Sequence, residues 1–323
     1  MIRNVMRSGR RGGGGGRGRL VAALAGGLGA VMVLHAWIPN RPGNLGSLVQ
    51  TLLPWTGAAV VPLLGAALVR RSRVALVAVL VPALAWAVLF GPALLADHRA
   101  PAGAAADLTA VTHNADDVNP DPAGTARALA ASGADLVAVQ ELVEPAAATY
   151  ARVLAERYPY HYVHGTVGLW SRHPLSDTRP LAVMPLPRAL RATAETPRGP
   201  VTVYVAHLPS VRVRAAGFTA GRRNAAALRL AEEVRTGPPG RTLLLGDLNS
   251  TTRDDAVAPL LGGNGLRSAQ EAAGAGYGFS WPAAFPVARI DQILVRGLTP
   301  VSAWTLPATA SDHLPVAASF RFR

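Results

Sequence analysis

Three long apolar runs fill the first hundred residues of the chain, roughly Leu20–Ile38, Leu48–Val69 and Val74–Ala96. Each is close to the ~20 residues that cross a bilayer core as a helix, none contains Asp, Glu or Arg, and only the first contains a histidine, His35. Three such runs without an amphipathic period favour membrane spans over buried core helices. The first run has no obvious A-x-A cleavage site and two more runs follow it, so we expect it to be retained rather than removed as a signal peptide.

The pattern changes after residue 106, where short β-like runs alternate with helix-like ones. The strand candidates are Leu108–Asn114, Asp135–Gln140, Thr166–Ser171, Val201–His207, Thr242–Asp247, Ile290–Val295 and Pro315–Phe320, and the helix candidates are Gly124–Ser132, Pro145–Arg157, Thr219–Arg235 and Asp254–Leu261. This alternation predicts a mixed α/β domain with too many strands for one simple βαβ repeat.

Arginines orient the predicted spans, because cytoplasmic flanks carry the basic excess. Six arginines precede the first run, one lies between the first and second, and three lie between the second and third. The pattern predicts a multi-pass cell-membrane protein with its N-terminus in the cytoplasm and its C-terminal domain outside the cell. We divide it into a basic Gly-rich cytoplasmic tail (1–19), a three-helix transmembrane anchor (20–98), a linker (99–106) and a folded domain (107–323).

Charge and cysteine content narrow the function classes. The chain has no cysteine, which excludes disulfides and thiolate metal sites. Residues 1–100 carry 11 Arg and one acid, a net charge of +10, whereas residues 101–323 carry 21 Arg and 18 acids, a net charge of +3. A nucleic-acid binder usually concentrates basic residues on its folded domain. The basic excess here belongs to the anchor, so nucleic acid is a possible but not a favoured partner.

Several predicted strands end in polar residues that bind metal or phosphate. Glu141 follows Leu136–Gln140, His207 ends Val201–His207, and Asn114 ends the first strand. The run Thr242–Gly246 leads into Asp247-Leu-Asn249. Alternation within a strand does not require a polar residue at each end, whereas a site built along one edge of a sheet does.

The same residues carry a resemblance to a known family. Its motifs are Asn114, Gln140-Glu141, Gly168–Pro174, Ala206-His207-Leu208, Gly246–Asn249, Arg289–Leu294 and Ser311-Asp312-His313. In this order they resemble endonuclease/exonuclease/phosphatase domains over roughly residues 107–323. With the three N-terminal runs, the chain resembles the actinobacterial membrane members of that family, the VanJ-like proteins associated with glycopeptide-antibiotic resistance. The resemblance implies a four-layer α/β sandwich of two mixed β-sheets flanked by helices.

The resemblance also implies Mg²⁺-dependent cleavage of a phosphoester or phosphoanhydride, with Mn²⁺ as the alternative ion. Glu141 would be the principal metal ligand, since Mg²⁺ takes one or two carboxylates and completes its octahedron with water and substrate phosphate. Asn114 would brace that site and Asp312 would add a second carboxylate. His313 would act as general base or phosphate contact, oriented by Asp291.

Further roles follow from the same resemblance. Asp247 would position or deprotonate the attacking water, so that Asp247 and His313 compete as the general base. Asn249 would donate to the phosphoryl oxygens, and His207 would stabilise developing charge or protonate the leaving group. Asp116 and Asp117 are interpreted as turn residues. Four arginines, Arg212, Arg214, Arg222 and Arg223, either clamp an anionic substrate or form a solvated loop and helix face.

Three functions remain open at this point. The first is hydrolysis of the phosphoester or pyrophosphate of an outer-leaflet lipid carrier or phospholipid, with a role in cell-wall metabolism or glycopeptide resistance. It is favoured because the ten or so residues of the linker reach at most about 35 Å, which holds the domain close to the bilayer. The second is an extracellular-facing DNA endonuclease or exonuclease, and the third is a non-catalytic membrane-bound binding protein. No obligate protein partner is inferred.

Overall fold

The computed structural model describes residues 18–95 and 106–322. The predicted tail and linker lie outside these residues except at their inner ends. The helices are α1 (Arg19–Leu34), α2 (Leu45–Leu52), α3 (Val60–Val69), α4 (Arg73–Leu95), α5 (Pro122–Ala131), α6 (Ala146–Ala155), α7 (Gly221–Thr236) and α8 (Ala269–Ala273). The strands are β1 (Leu108–Asn114), β2 (Leu136–Gln140), β3 (Tyr160–His164), β4 (Val167–Ser171), β5 (Leu175–Pro180), β6 (Ala189–Thr196), β7 (Gly199–Ala206), β8 (Val213–Arg214), β9 (Gly217–Phe218), β10 (Thr242–Asp247), β11 (Arg267–Ser268), β12 (Asp291–Arg296), β13 (Leu298–Thr305) and β14 (Val316–Phe322).

Two compact units divide the described chain. One holds the residues up to Ile38 together with Leu52–Pro92, and the other holds Pro39–Thr51 together with the chain from Ala93 onward. The sequence analysis placed residues 39–51 in the anchor, whereas the structure groups them with the α/β domain.

The first unit contains three apolar helical stretches long enough to cross a membrane, Arg19–Trp37, Leu45–Val69 and Arg73–Leu95, although the second begins with residues that fold with the other unit. Small and β-branched residues on α1, α3 and α4 form its buried cluster, for example Ala25, Ala67 and Val79. Most other apolar side chains here face outward, which is typical of helices whose solvent is lipid.

The second unit is built on two mixed six-stranded sheets. Their strand orders are β13-β14-β1-β2-β4-β3 and β11-β12-β10-β7-β6-β5. Each sheet contains one parallel pair, β1 with β2 and β7 with β10, and all its other pairs are antiparallel. The predicted four-layer sandwich of two mixed sheets flanked by helices is confirmed.

Alternation along the strands divides the buried residues between two sides of each sheet. Ala110 of β1, Val203 of β7 and Leu245 of β10 belong to one cluster that joins the two sheets. Their neighbours in sequence, such as Val111, Tyr204 and Leu244, belong to outer clusters under α5 and α6 on one sheet and under α7 on the other. The central core therefore lies between the sheets, as the period of two requires.

One predicted helix is wrong. Asp254–Leu261 forms no α-helix, and the chain makes a 3₁₀ turn at Asp255–Val257 and a π turn at Pro259–Gly263 instead. The Asp254 side chain accepts from the N–H of Ala256 at 3.0 Å, and Pro259 has no N–H to donate to a helical ladder. The segment stays a compact turn beside the end of β10.

Candidate active site

Strand alternation carries polar side chains to one end of the gap between the sheets. On β10, Leu243 and Leu245 face the inter-sheet core, and Asp247 follows two positions later on the same face. On the parallel neighbour β7, Val205 faces that core and His207 follows after the same interval. Because β7 and β10 are parallel, both side chains are delivered to the same edge of their sheet.

The facing sheet supplies Asn114 in the same way, whereas Glu141 follows the end of β2 at a residue with φ +58°, where the chain leaves the strand. β1 ends at Asn114, its parallel neighbour β2 ends at Gln140, and these two residues are register partners. The Asn114 amide crosses to the other sheet and donates from Nδ2 to Asp247 Oδ2 at 3.1 Å. Glu141 Oε1 lies 3.6 Å from His207 Nε2. The two strand-end pairs therefore meet in one cleft.

Asp247 is the most heavily bonded acid of the cleft. Asn249 donates its backbone N–H to Oδ1 at 2.8 Å and its side-chain amide to Oδ2 at 3.2 Å. The same Asn249 amide donates to the carbonyl of Leu208 at 2.9 Å. The preceding Gly246 has φ +147°, and a Cβ there would collide with the carbonyl of Ala206. Only glycine lets β10 approach β7 this closely and still present Asp247.

His313 and Asp291 form a buried pair beside Asp247. His313 Nδ1 lies 2.8 Å from Asp291 Oδ2, and the Ser280 hydroxyl donates to the same oxygen at 2.6 Å. Asp291 is the antiparallel register partner of Asp247, and His313 Nε2 lies 3.9 Å from Asp247 Oδ2. The bond at Nδ1 orients the ring so that Nε2 faces Asp247.

Ser311 fixes the loop that carries His313. Its hydroxyl donates to the backbone carbonyl of Asn114 at 2.7 Å and accepts from the N–H of His313 at 3.0 Å. Hydrogen bonds of Ser311 thereby join the end of β1 directly to the loop that carries His313.

Burial and neighbouring charges shift the pKa values of Asp247, His313 and Asp291 in different directions. Burial, together with the negative charge of Asp291, raises the pKa of Asp247 to about 7. Burial alone would lower the pKa of His313, but Asp291 and Asp247 outweigh it and raise that pKa to about 10. Burial would likewise raise the pKa of Asp291, but the charge and hydrogen bond of His313 lower it. At neutral pH the pair is an imidazolium beside a carboxylate.

His207 differs from His313 because no carboxylate of the described residues lies within hydrogen-bond distance of its ring. Burial, followed by the positive charges of Arg188 and His313, lowers its pKa to about 3. Its Nε2 lies 3.7 Å from Asp247 Oδ2, and its Nδ1 has no hydrogen-bond partner among the described residues. His207 is therefore a neutral imidazole at physiological pH.

Two groups of side chains have the spacing of metal ligands. In each group the ligand atoms lie within 4.8 Å of one another, and the groups are Asp247, Asp291, His313 and Asp116, Asp117, Glu141. The second group is open to solvent: Glu141 is about a quarter exposed, and its Oε2 accepts from the N–H of Asp117 at 3.1 Å. Carboxylate oxygens beside open space fit a hard divalent cation that keeps several waters.

The predicted ligands Asn114 and Asp312 lie outside both groups. Asn114 Oδ1 accepts from the N–H of Asp116 at 3.0 Å, so its side chain braces the acidic loop. Asp312 is half exposed at the rim, where its Oδ2 accepts from Trp281 Nε1 at 3.0 Å and its Oδ1 lies 3.8 Å from His313 Nε2.

The structure thus gathers seven of the eight predicted residues in one cleft and places Asp312 at its rim. Sequence reasoning missed Ser280 and Ser311, and it interpreted Asp116 and Asp117 as turn residues. The signal for Ser311 was its place in the Ser311-Asp312-His313 motif, and the signal for the two acids was their position directly after Asn114.

Arg223 corrects the interpretation of the four arginines. It is neither a substrate clamp nor part of a solvated face, because its side chain is fully buried and pairs with Asp254 at 2.6 Å. Arg212, Arg214 and Arg222 are exposed.

Comparisons with known proteins agree with this geometry. A sequence profile of the Endonuclease/Exonuclease/phosphatase family matches residues 105–313, which is more than half of the chain. The chain belongs to the endonuclease/exonuclease/phosphatase family. As a member of this family it is a metal-dependent hydrolase that acts on phosphoester bonds. A search of curated proteins found no match.

Solved structures with the same fold are similar over nearly their full length. D. rerio TDP2 complexed with single strand DNA product is 19% identical, with TM-score 0.55, covering 66% of this chain and 98% of that one. Sphingomyelinase C from Streptomyces griseocarneus is 21% identical, with TM-score 0.51 and coverages of 66% and 99%. An endonuclease/exonuclease/phosphatase family protein from Bacteroides thetaiotaomicron is 14% identical, with TM-score 0.55 and coverages of 67% and 98%. At these identities the likeness establishes the fold.

Proposed function

We propose that this family member hydrolyses the phosphoester or pyrophosphate of a membrane lipid, using Mg²⁺. The observation that carries the proposal is a cavity of about 440 Å³ beside the catalytic cleft, lined both by apolar side chains such as Met184 and Leu186 and by Arg188, Arg222 and Arg229. An amphiphile with an anionic head group matches such a lining, since guanidinium groups bind phosphate and apolar walls bind hydrocarbon.

The cavity adjoins His207 in space and in sequence. Pro209 and Ser210 line it, the N–H of His207 donates to the carbonyl of Arg188 at 2.9 Å, and Arg188 helps to lower the pKa of His207. Arg222 and Arg229 form no ion pair with any described carboxylate within 4 Å. An anionic substrate in the cavity would therefore meet cations that are not already neutralised.

Asp247 is the general base in this proposal. A base works best with a pKa near the working pH, and burial brings the pKa of Asp247 to about 7. Asn114 and Asn249 hold both of its oxygens in place, so the carboxylate can accept a proton from an attacking water without turning. His313 is then free for another role.

His313 contacts the phosphoryl group as a cation. Its pKa near 10 keeps it protonated at neutral pH, and its Nε2 faces the cleft beside Asp247. A buried imidazolium stabilises the negative charge that develops on phosphoryl oxygens. His207, being neutral, donates a hydrogen bond to a phosphoryl or leaving-group oxygen, which fits its low pKa better than proton donation does.

Glu141 would hold the Mg²⁺, together with Asp116 or Asp117, while Asn114 braces that loop and Asp312 contributes from the rim. The bound ion would supply Lewis-acid stabilisation of the phosphoryl oxygens. The proposal keeps the predicted placement of the domain on the outer face of the cell membrane, which rests on the arginine distribution and on the three apolar helical stretches.

A nuclease is the second candidate, favoured by the likeness to the TDP2 complex with a DNA product, whereas the likeness to a sphingomyelinase C supports a lipid substrate. The test is phosphate release by the full chain in detergent, with lipid pyrophosphates, phosphodiester lipids and plasmid DNA compared with and without Mg²⁺. We expect turnover of a lipid phosphate that Glu141→Gln and His313→Gln each reduce by at least about 100-fold. Cleavage of DNA with no turnover of any lipid would reject the lipid proposal and favour the nuclease.

A further inference from the structure

The segment Pro39–Thr51, which follows the first apolar run and includes the first four residues of the second, is folded into the α/β domain. Its backbone meets the β8–β9 hairpin: the carbonyl of Gly43 accepts from the N–H of Phe218 at 2.7 Å, and the Asn44 amide donates to the carbonyl of Phe218 at 2.6 Å. Gly43 and Gly217 both have positive φ, and a Cβ on Gly217 would collide with the backbone of Gly43. At residue 217 this approach of two backbones is open only to glycine, and the φ of +71° at residue 43 favours glycine there as well.

The short helix α2 then buries one face in the domain. Ser47 and Gln50, three positions apart, are fully buried, which places them on the same side of the helix. The Ser47 hydroxyl donates to Asp254 Oδ1 at 3.0 Å, and Gln50 Oε1 accepts from the N–H of Asp255 at 3.1 Å. A polar helix face fits here because each of these groups has a partner.

Ser47 also completes a buried ion pair. Arg223 Nη2 lies 2.6 Å from Asp254 Oδ2 and 3.2 Å from Ser47 Oγ, and none of the three side chains is measurably exposed to solvent. A buried guanidinium and carboxylate need further hydrogen bonds to offset their lost hydration. The hydroxyl from residue 47 supplies one such contact to each of them.

The same guanidinium reaches the active site. Arg223 Nη1 donates to the backbone carbonyl of Asn249 at 2.8 Å, and Asn249 in turn holds both oxygens of Asp247. Asn249 has φ +47°, in the left-handed region where asparagine is enriched among non-glycine residues. An unbroken path of buried hydrogen bonds therefore runs from Ser47 through Arg223 and Asn249 to Asp247.

We infer that Pro39–Thr51 is a working part of the catalytic domain and that Ser47 and Arg223 are positioning residues for the Asn249–Asp247 turn. The inference about catalysis rests on the proposed function, whereas the docking of the segment does not. It has a topological consequence. A segment that follows one span and a domain that follows three can fold together only on the same side of a membrane, as the proposed topology requires.

The first test measures kinetics of the full chain in detergent on the phosphate substrate that the screen above identifies. Ser47→Ala removes the hydroxyl from the path, and Thr51→Ala is the matched control, since Thr51 Oγ1 donates only within the helix, to the carbonyl of Ser47 at 2.8 Å. We expect Ser47→Ala to lower kcat about 10-fold or more with KM unchanged, because a loosened turn misplaces the base but not the substrate. Equal kcat values for the two variants, or a change in KM alone, would overturn the positioning role.

The second test needs no activity. The chain has no cysteine, so Arg41→Cys combined with Ala216→Cys gives one reactive pair, because both side chains are exposed and the backbone of Ala216 lies against Gly43. Arg41→Cys combined with Glu156→Cys is the control, because Glu156 lies exposed after α6. A short bismaleimide added to membranes that contain the full chain should cross-link the first pair and not the second. Absence of the first cross-link, or equal yields for both pairs, would overturn the docking itself. If cross-linking succeeds and no phosphate substrate is turned over, the docking stands and the proposed function fails.

Discussion

Replacing Arg223 by methionine should destabilise the α/β domain strongly. Arg223→Met keeps most of the apolar stem and removes the guanidinium, which leaves the Asp254 carboxylate buried and without its cation. Breaking a buried ion pair from one side costs about 3–5 kcal/mol, because the remaining charge stays unhydrated. The hydrogen bond to the carbonyl of Asn249 is lost as well.

The assay is thermal unfolding of the full chain in detergent, followed by tryptophan fluorescence, for which the fully buried Trp170 is a reporter within the domain. For a domain of this size, a loss of about 3–5 kcal/mol corresponds to a fall in Tm of roughly 6–20 °C. Arg235→Met is the matched control on the same helix. The ion pair of Arg235 with Glu232 is exposed, so this substitution should leave the Tm almost unchanged.

A second variant separates loss of the ion pair from loss of packing. Adding Asp254→Asn to Arg223→Met removes the uncompensated charge while keeping the oxygen that accepts from Ala256 and Ser47. We expect this double variant to regain at least half of the lost Tm. If the double variant melts no higher than Arg223→Met alone, or if Arg235→Met is equally destabilised, the argument from buried charge is wrong.

Four further predictions test the site. Asp291→Asn removes the charge that keeps His313 protonated and should lower kcat by roughly 10²–10⁴-fold in the phosphate-release assay. Unchanged turnover would show that protonated His313 takes no part in the reaction. Chelation by EDTA should abolish turnover and added Mg²⁺ restore it, with Glu141→Gln needing roughly 10–100-fold more Mg²⁺ for half-maximal rate. Arg222→Ser should raise KM for a lipid phosphate about 10-fold with kcat unchanged. An unchanged KM would show that the cavity does not bind the head group of the substrate. Gly246→Ala should lower stability by about 1–3 kcal/mol, measured by the same unfolding assay, because its φ is open only to glycine.

Strand alternation made much of the site predictable. A polar residue two positions beyond buried Leu245 or Val205 continues the core face of its strand, and the sequence shows both Asp247 and His207 in that place. The order of the family motifs along the chain was then enough to identify Asn114 and Glu141 as site residues. This pattern does not predict the role of each residue. The preference for Asp247 over His313 as the base depends on how burial and neighbouring charges shift the pKa of each group, which only the fold determines.

The sequence analysis missed all four edge strands of the two six-stranded sheets, β3, β5, β11 and β13, and one interior strand, β6. β3 and β5 each form one edge of their sheet, and their side chains are mostly exposed. Such strands show no apolar alternation, because they are held by main-chain pairing to a neighbour that the sequence does not reveal. The central strands β1, β2 and β10 are buried except for the partly exposed Thr109 and were predicted almost to the residue.

Contacts between distant parts of the chain were beyond sequence reasoning altogether. Ser280 and Arg223 are unremarkable by position, and their partners lie 11 and 31 residues away at Asp291 and Asp254. The segment that contains Ser47 was assigned to the anchor, because its neighbours in sequence are apolar. Its partner Asp254 is 207 residues away, and only the completed fold shows that the two belong together.

The separation of Ser47 from Arg223 by 176 residues also sets an order of events during biosynthesis. Ribosomes add roughly 5–20 residues per second, so Ser47 is synthesised about 10–35 seconds before Arg223. During that interval Ser47 has not yet met Arg223, and the active-site turn can lock only after about four fifths of the polypeptide, as far as Asp254, has been translated. Assembly of the active site is therefore a late step in the synthesis of the chain.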